Sequence, residues 1–420
     1  GLFVGSSAAI AAAGPAALVS YMLAGTIVFI VMRMLGEMAI THPGVRTFTE
    51  FSRAGLGDAA GFIAGWLYWY FWIVVVPIEA IAGAQILQQW IDLPMWQIGL
   101  APMAVMTAVN LLSARSYGEF EFWFSSIKVA AIIAFILVAT AFAFGFTSPH
   151  GATFANLTDH GGFAPKGWVP VVATVTTVFF SLVGAEITTV AAAESKEPAK
   201  AVVRMATTIT WRILLFYVVS LGLIVCVVAW PMVKPGESPF TLALNVMGFK
   251  WGSAVMSFII LTAVLSCLNS AVYVCSRVLH VMADRGDAPR WLAEVNSQRV
   301  PARSILLGSL VGVIGVVIAI VSPNRVFAFL ISTTGTVILF VYLMTAIAHI
   351  RLRRRHPETE TKAVRVWLFP WLSYVTIGAM VAVLVAMALT PGLASQFYFS
   401  LLTLAVVVAS YYLFRKPRAD

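Results

Sequence analysis

The sequence predicts an all-α integral membrane protein with twelve transmembrane helices, the first of them partial. Three observations lead there. Hydrophobic residues make up 60% of the 420 positions and charged residues 11%; the mean hydropathy is +0.91; and the apolar residues gather into long runs separated by basic loops. A soluble domain carries about 25% charged residues and about 45–50% apolar ones, so a water-soluble fold is excluded.

A hydrocarbon core about 30 Å thick takes roughly 20 residues of helix. Windows of that length place complete spans at 15–38, 60–88, 94–113, 122–146, 169–193, 205–230, 250–280, 303–321, 326–350, 366–389 and 396–414. Residues 1–13 are too short to cross and lack both an initiator methionine and a basic, signal-like flank. They read as the outer half of a first helix whose inner half precedes Gly1.

The net charge of +9 has a pattern. Alternate loops hold Arg46 and Arg53; Lys196, Lys200 and Arg204; Arg285, Arg290 and Arg299; Arg351, Arg353, Arg354, Arg355 and Lys362; and Arg415, Lys416 and Arg418. The opposite loops hold only Lys166, Lys234, Lys250 and Arg325. Such a bias puts the basic loops in the cytoplasm, together with both termini, and it accounts for the charge without nucleic acid.

Little points to an enzyme. Cys226, Cys267 and Cys275 all fall inside spans, an odd count with no disulfide framework, and read as small buried apolar residues. The histidines show no metal spacing: His42, His150, His160 and His356 lie in loops, and His280 and His349 at helix ends. No P-loop or nucleophile elbow occurs. No cofactor or metal is expected.

Two spans carry small residues at mid-membrane depth: the first, with Gly1, Gly5, Ser6 and Ser7, and the sixth, with Ser181, Val183 and Gly184 followed by Glu186. They are five spans apart. Interrupted helices at matching positions are the trace of inverted five-helix repeats with a substrate site near the midplane. The predicted organisation is a first repeat over 1–147, a second over 148–350, and two added helices with a tail over 351–420.

Such breaks suit a zwitterion. A carboxylate is met by N–H groups at a half-helix N-terminus, here Gly1, Leu2 and Gly5, and an ammonium by carbonyls where another half-helix ends, near Phe180, Ser181 and Val183. Charged side chains are not needed for either head group.

Ionisable residues inside a membrane are costly and tend to be functional. Three stand out: Glu79, just after Pro77 in the third span; Glu186; and Lys128 in the fifth. Ser266, Asn269 and Ser270 share one face of the eighth helix, and Ser332, Thr333 and Thr334 precede Gly335 in the tenth. Single hydroxyls of this kind often only bond their own backbone.

Outside the spans, residues 47–57 and 117–124 mix aromatic and charged groups in the manner of short interfacial helices. Residues 239–247 form a candidate cover for the external mouth. The pairs Gly61/Gly65 and Gly308/Gly312 read as close helix packing.

These residues resemble the amino acid transporter family within the amino acid, polyamine and organocation superfamily, over nearly the whole chain. The resemblance lies in Gly1-Leu2-Phe3-Val4-Gly5-Ser6, Arg33-Met34-Leu35-Gly36-Glu37-Met38-Ala39, Gly65-Trp66-Leu67-Tyr68-Trp69, Tyr117-Gly118-Glu119-Phe120-Glu121-Phe122-Trp123 and Cys267-Leu268-Asn269-Ser270. Gly184-Ala185-Glu186 with Ala191-Ala192-Ala193-Glu194-Ser195 and Arg285-Gly286-Asp287-Ala288-Pro289 is most similar to bacterial 4-aminobutyrate permeases. Arg46 departs from the glycine usual in its loop.

The resemblance implies a fold like that of the leucine transporter, in a bacterial plasma membrane, and uptake driven by protons. It implies that Phe180 is an aromatic gate, that the carbonyls of Ser181 and Val183 receive the amine, and that Glu186 serves proton-dependent steps. It implies too that the ammonium of Lys128 replaces the sodium ion of sodium-coupled relatives. Which of Lys128 and Glu186 carries the proton stays open.

The expected function is therefore proton-coupled import of a small amino acid, 4-aminobutyrate first, with amino acid, protons and the lipid bilayer as partners. A permease or exchanger for aromatic, cationic or branched α-amino acids is the alternative, one that Glu79 facing the pocket would favour for basic ligands. A channel would need a continuous polar stripe or carbonyl filter, and an intramembrane hydrolase a nucleophile with its base; the spans offer neither.

Overall fold

A computed structural model describes residues 1–42, 45, 47–112, 114–149, 151–186, 198–297, 300–318, 322–355 and 365–414. The sixth span beyond Glu186, the Ala191-to-Ser195 motif, Arg46, His150, His356, and the basic residues Lys196, Arg299, Lys362, Arg415, Lys416 and Arg418 lie outside the described residues, as do the side chains of residues 114–121.

Among the described residues the protein is helical, without strands. The α-helices are α1 (Leu2–Ala13), α2 (Ala17–Thr41), α3 (Thr49–Leu56), α4 (Asp58–Leu87), α5 (Met95–Leu112), α6 (Ala114–Ala143), α7 (Trp168–Ala173), α8 (Val175–Leu182), α9 (Pro198–Arg212), α10 (Ser220–Val227), α11 (Pro239–Val246), α12 (Lys250–Asp284), α13 (Ala302–Ile318), α14 (Pro323–Arg355), α15 (Trp371–Leu389) and α16 (Ala394–Phe414). A π-helical stretch, Ile213–Val219, joins α9 to α10. Among the described residues eight stretches are long and apolar enough to cross a membrane, one of them running from Leu2 to Thr41, and three shorter apolar helices join them: Trp168–Leu182, Leu215–Val227 and Ala302–Ile318. The chain is a multi-pass membrane protein.

Several boundaries differ from the sequence reading. Residues 117–124 do not form a separate interfacial helix; they belong to the N-terminal part of α6, because no proline or glycine-rich turn separates them from the apolar run that follows. Residues 47–57 do contain a short helix, α3. The span placed at 366–389 begins only at Trp371, since the preceding backbone is held by side chains of α2. Helix α4 runs through Pro77 as one element.

The chain divides into two compact units: Gly1–Leu18, Trp69–Gly167 and Val218–Thr334; and Val19–Tyr68, Trp168–Tyr217 and Gly335–Asp420. In the first, α12 packs against α5, α6, α11 and α13. Phe240 of α11 is fully buried, its ring 5.0 Å from that of Phe3 on α1 and 4.8 Å from that of Phe135 on α6. Helix α11 starts from Ser238, whose hydroxyl accepts from the Thr241 N–H at 3.4 Å with Pro239 in the first turn, a combination that satisfies an amide the helix cannot. The C-terminal end of α1 is closed by Lys166, whose ammonium donates to the Ala11 carbonyl at 2.7 Å; a cation there also meets the negative end of the helix dipole.

In the second unit, α15 packs on α7, α8 and α16. Ser20 of α2 donates to the Val171 carbonyl of α7 at 2.6 Å. At Gly335 the backbone of α14 meets the carbonyl of Thr176 on α8 so closely that a β-carbon would overlap it.

Candidate transport sites

The first unit holds one set of the residues singled out from sequence. The main-chain nitrogen of Gly1 donates to Glu79 Oε1 at 3.0 Å, and Glu79 is 1% exposed. The N–H of Gly5 is taken within α1 by the Gly1 carbonyl at 2.7 Å, so among the amides expected to meet a carboxylate Gly5 is already engaged. Leu2 is buried. Lys128 Nζ donates to Ser266 Oγ at 2.7 Å, joining α6 to the polar face of α12. One turn along that face, Asn269 accepts from Asn110 Nδ2 of α5 at 2.8 Å, while Ser270 is half-buried. Asn110 was not singled out from sequence, although a lone buried amide in an apolar helix is the signal that finds such residues.

Ser332 and Thr333, on α14, are both buried. The Thr333 hydroxyl bonds its own helix at the Phe329 carbonyl, 2.8 Å away, as the plain reading of such residues has it.

The second unit holds the other set. Helix α8 stops at Leu182; Val183 is extended (φ −65°, ψ 153°) and Gly184 has φ 107°, a conformation that glycine adopts without strain. The last-turn carbonyls of a helix lack intrahelical donors. That of Ser181 receives the hydroxyl of Tyr217 at 2.8 Å, and Phe180 is buried in the same turn.

Beyond the break, Glu186 is fully buried. Its Oε1 accepts from Tyr68 at 3.0 Å, and its Oε2 from the Gly184 N–H at 2.9 Å and from Tyr342 at 3.3 Å. The rings that present these hydroxyls are themselves fixed: Tyr68 packs edge-on against Phe48 with centroids 4.6 Å apart, and Tyr342 against Phe179 at 5.9 Å. A carboxylate in apolar surroundings needs such donors to hold a charge and can release them on protonation. Tyr68, Tyr217 and Tyr342 were missed in sequence because tyrosine is ordinary in an aromatic-rich membrane helix.

A third buried group lies at the other end of α14. Glu37 Oε2 accepts from the Val366 N–H at 2.8 Å and from Arg353 Nη1 at 3.2 Å, and lies 3.2 Å from His349 Nε2. Arg353 also reaches the Val366 carbonyl at 3.2 Å, which explains why the chain before Trp371 is not helical.

A buried carboxylate at a helix break, hydroxyls aimed at it, and a half-buried ammonium elsewhere, all carried on apolar helices, define a polytopic membrane protein built to hold polar groups inside the bilayer, the class to which solute carriers belong. Residues 1–419 match the amino acid permease family, and the chain belongs to it. It is 42% identical to a gamma-aminobutyric acid permease of Bacillus subtilis, over 100% of this chain and 90% of that protein. A gamma-aminobutyric acid permease of Escherichia coli is 40% identical over 93% of this chain and 84% of its own. The aromatic amino acid transport protein AroP of Escherichia coli is 34% identical over 100% of this chain and 92% of its own.

Proposed function

We propose that this amino acid permease is a proton-coupled importer of a small amino acid, with 4-aminobutyrate as its first substrate. The observation that carries the reading is the end of α8: a buried helix stops at Leu182, Gly184 turns the chain, and Glu186 waits behind it on three donors. Carbonyls at a helix C-terminus, which lack intrahelical donors and keep a lone pair for a ligand, suit an ammonium group, and a buried carboxylate with exchangeable donors suits a proton. The identity to gamma-aminobutyric acid permeases supports the choice of substrate.

The mechanism is alternating access. Gly1, Leu2 and Gly5 of α1 are assigned to the substrate's carboxylate, the Gly5 N–H becoming available when it leaves the Gly1 carbonyl, and the carbonyls of Ser181 and Val183 to its amine; Gly184, Ser332 and Thr333 are further substrate contacts, and Phe180 acts as the lid. Glu79 is assigned to substrate binding, and Lys128 with Ser266, Asn269 and Ser270 forms the coupling group of the first unit. The reading includes twelve spans, two inverted five-helix repeats with boundaries at 147 and 350, a bacterial plasma membrane, and cytoplasmic termini, the last supported by the placement of Arg and Lys in alternate loops.

Permeation of aromatic α-amino acids is the second reading, supported by the 34% identity to AroP. Uptake of labelled 4-aminobutyrate into proteoliposomes, with each standard amino acid as competitor and with or without an inward proton gradient, separates the two. Saturable, gradient-dependent uptake displaced by 4-aminobutyrate analogues is expected. Displacement by aromatic amino acids alone favours the second reading, and uptake indifferent to the gradient overturns the coupling.

A further inference from the structure

Helix α14 carries a line of buried polar side chains on an otherwise apolar stretch: Tyr342, Thr345 and His349, each 0% exposed. Their spacing of three and then four residues places them on one face of the helix, and the line covers about 10 Å along the axis at 1.5 Å per residue. At one end Tyr342 donates to Glu186. At the other, His349 lies beside Glu37 and lines a cavity with Glu37, Met38, Thr41, His42 and Arg353 that has room for about one water molecule. Thr41 and His42 are only half-buried, so this end is the one nearer solvent.

The chemistry of the line is ordered. Thr345 gives its hydrogen to the Val341 carbonyl at 2.9 Å, which leaves its oxygen lone pairs for another donor. His349 Nδ1 has no hydrogen-bond partner among the described residues, and Nε2 faces Glu37 Oε2 at 3.2 Å without a well-formed hydrogen bond. Apart from catalysis and packing, a buried histidine with one nitrogen on a carboxylate and the other open is suited to passing protons, because imidazole takes a proton on one nitrogen and gives one up from the other near neutral pH.

We propose that Tyr342, Thr345 and His349 form the exit route by which a proton from Glu186 reaches the cytoplasm. This rests on the proton-coupled reading above. The Glu186 carboxyl gives its proton to the Tyr342 oxygen as the phenol passes its own onward; Thr345 relays in the same way; and His349 receives at Nδ1 and releases from Nε2 to water. Residues three and four apart on one helix face are neighbours, and the route needs water between their polar atoms, for which the cavity beside His349 supplies room at that end. The net change is one proton moved from Glu186 to solvent; each intermediate group keeps its charge, and the relay resets when the two hydroxyls rotate back and the imidazole returns to its first tautomer.

The charged groups around His349 shape its release. Glu37 of α2 and Arg353 of α14 lie beside it, with His42 across the cavity; Arg33 of α2 faces the Trp367 ring. From the 365–370 segment come Arg365, whose carbonyl accepts from Arg33 at 2.9 Å, and the ring of Phe369 at 5.8 Å. Helix α3 lies against α14 at Gly55 and Ala348; its Glu50 and Arg53 pair with each other, and Arg53 also with Asp58. Glu37 is thus already paired with Arg353.

The test uses the whole protein in proteoliposomes, comparing gradient-driven accumulation with substrate exchange, which moves no net proton. Wild-type accumulation is expected to depend on internal pH. His349→Gln is expected to lose that dependence and slow accumulation about tenfold while exchange persists. Thr345→Val, which keeps the side-chain shape, is expected to slow accumulation in the same selective way and stands in should the histidine variant fail to fold. Unchanged accumulation and internal-pH profile in either variant overturns the route, as does a parallel loss of exchange, which marks a structural role. A wild type that transports without any proton gradient is a different failure, that of the coupled reading itself.

Discussion

The hydroxyl of Tyr217 donates to the main-chain carbonyl of Ser181 at 2.8 Å, so a side chain already occupies one lone pair of the carbonyl assigned to the substrate's amine. Tyr217 sits within the π-helical stretch, whose wider turn redirects side chains relative to an α-helix, and its ring lies 6.1 Å from that of Tyr21. The broken end of α8 is in this way held in shape before any ligand arrives.

Tyr217→Phe therefore removes a support and adds no new contact. A neutral hydrogen bond of this kind contributes about 1 kcal/mol, which corresponds to roughly a fivefold change in an equilibrium constant. The apparent KM for uptake is expected to rise about fivefold with little change in maximal rate. A lower KM would mean that the phenol competes with the amine for the carbonyl.

Much of this arrangement was legible in the sequence. The break around Val183 and Gly184 follows from small residues at mid-depth, and the isolated charges Glu79, Lys128 and Glu186 announce themselves because apolar helices rarely carry them. Their partners are harder to read. Tyr68 and Tyr342 come from helices far apart in the chain, and only packing brings both hydroxyls to one carboxylate. His349 looked like a residue at a helix end, yet α14 runs on to Arg355 and leaves it inside. The polar line on that helix was passed over because tyrosine and threonine are common among apolar neighbours.

Lys128 offers a second test. Its ammonium donates to Ser266 at 2.7 Å, tying α6 to the polar face of α12 at the point where Asn269 meets Asn110. Lys128→Ala leaves Ser266 and its neighbours without the charge that organises them. Accumulation against a gradient is expected to fall at least tenfold, with exchange largely kept. Ser266→Ala removes the hydroxyl but keeps the ammonium, and is expected to cost less than Lys128→Ala. Equal losses in the two variants would show that the hydroxyl and not the ammonium is the essential partner.

The last prediction concerns the contact that sets α8 against α14. Gly335 lets the two backbones touch at the Thr176 carbonyl, where a β-carbon has no room. Thr176 is itself fixed, its hydroxyl bonded to the Ala173 carbonyl at 2.8 Å and its side chain fully buried, so the carbonyl cannot swing aside. Gly335→Ala must push the helices apart. Overpacking a filled interior typically costs about 1–3 kcal/mol, and a rigid carbonyl as the obstacle puts this site at the upper end of that range. Because Tyr342 stands on α14 two turns further on and bonds Glu186 beyond the end of α8, the same displacement stretches that hydrogen bond. The variant is expected to show a lower melting temperature in detergent together with an altered pH profile of uptake. A stable variant with the wild-type profile would mean that the two helices do not meet at Gly335 in the working protein.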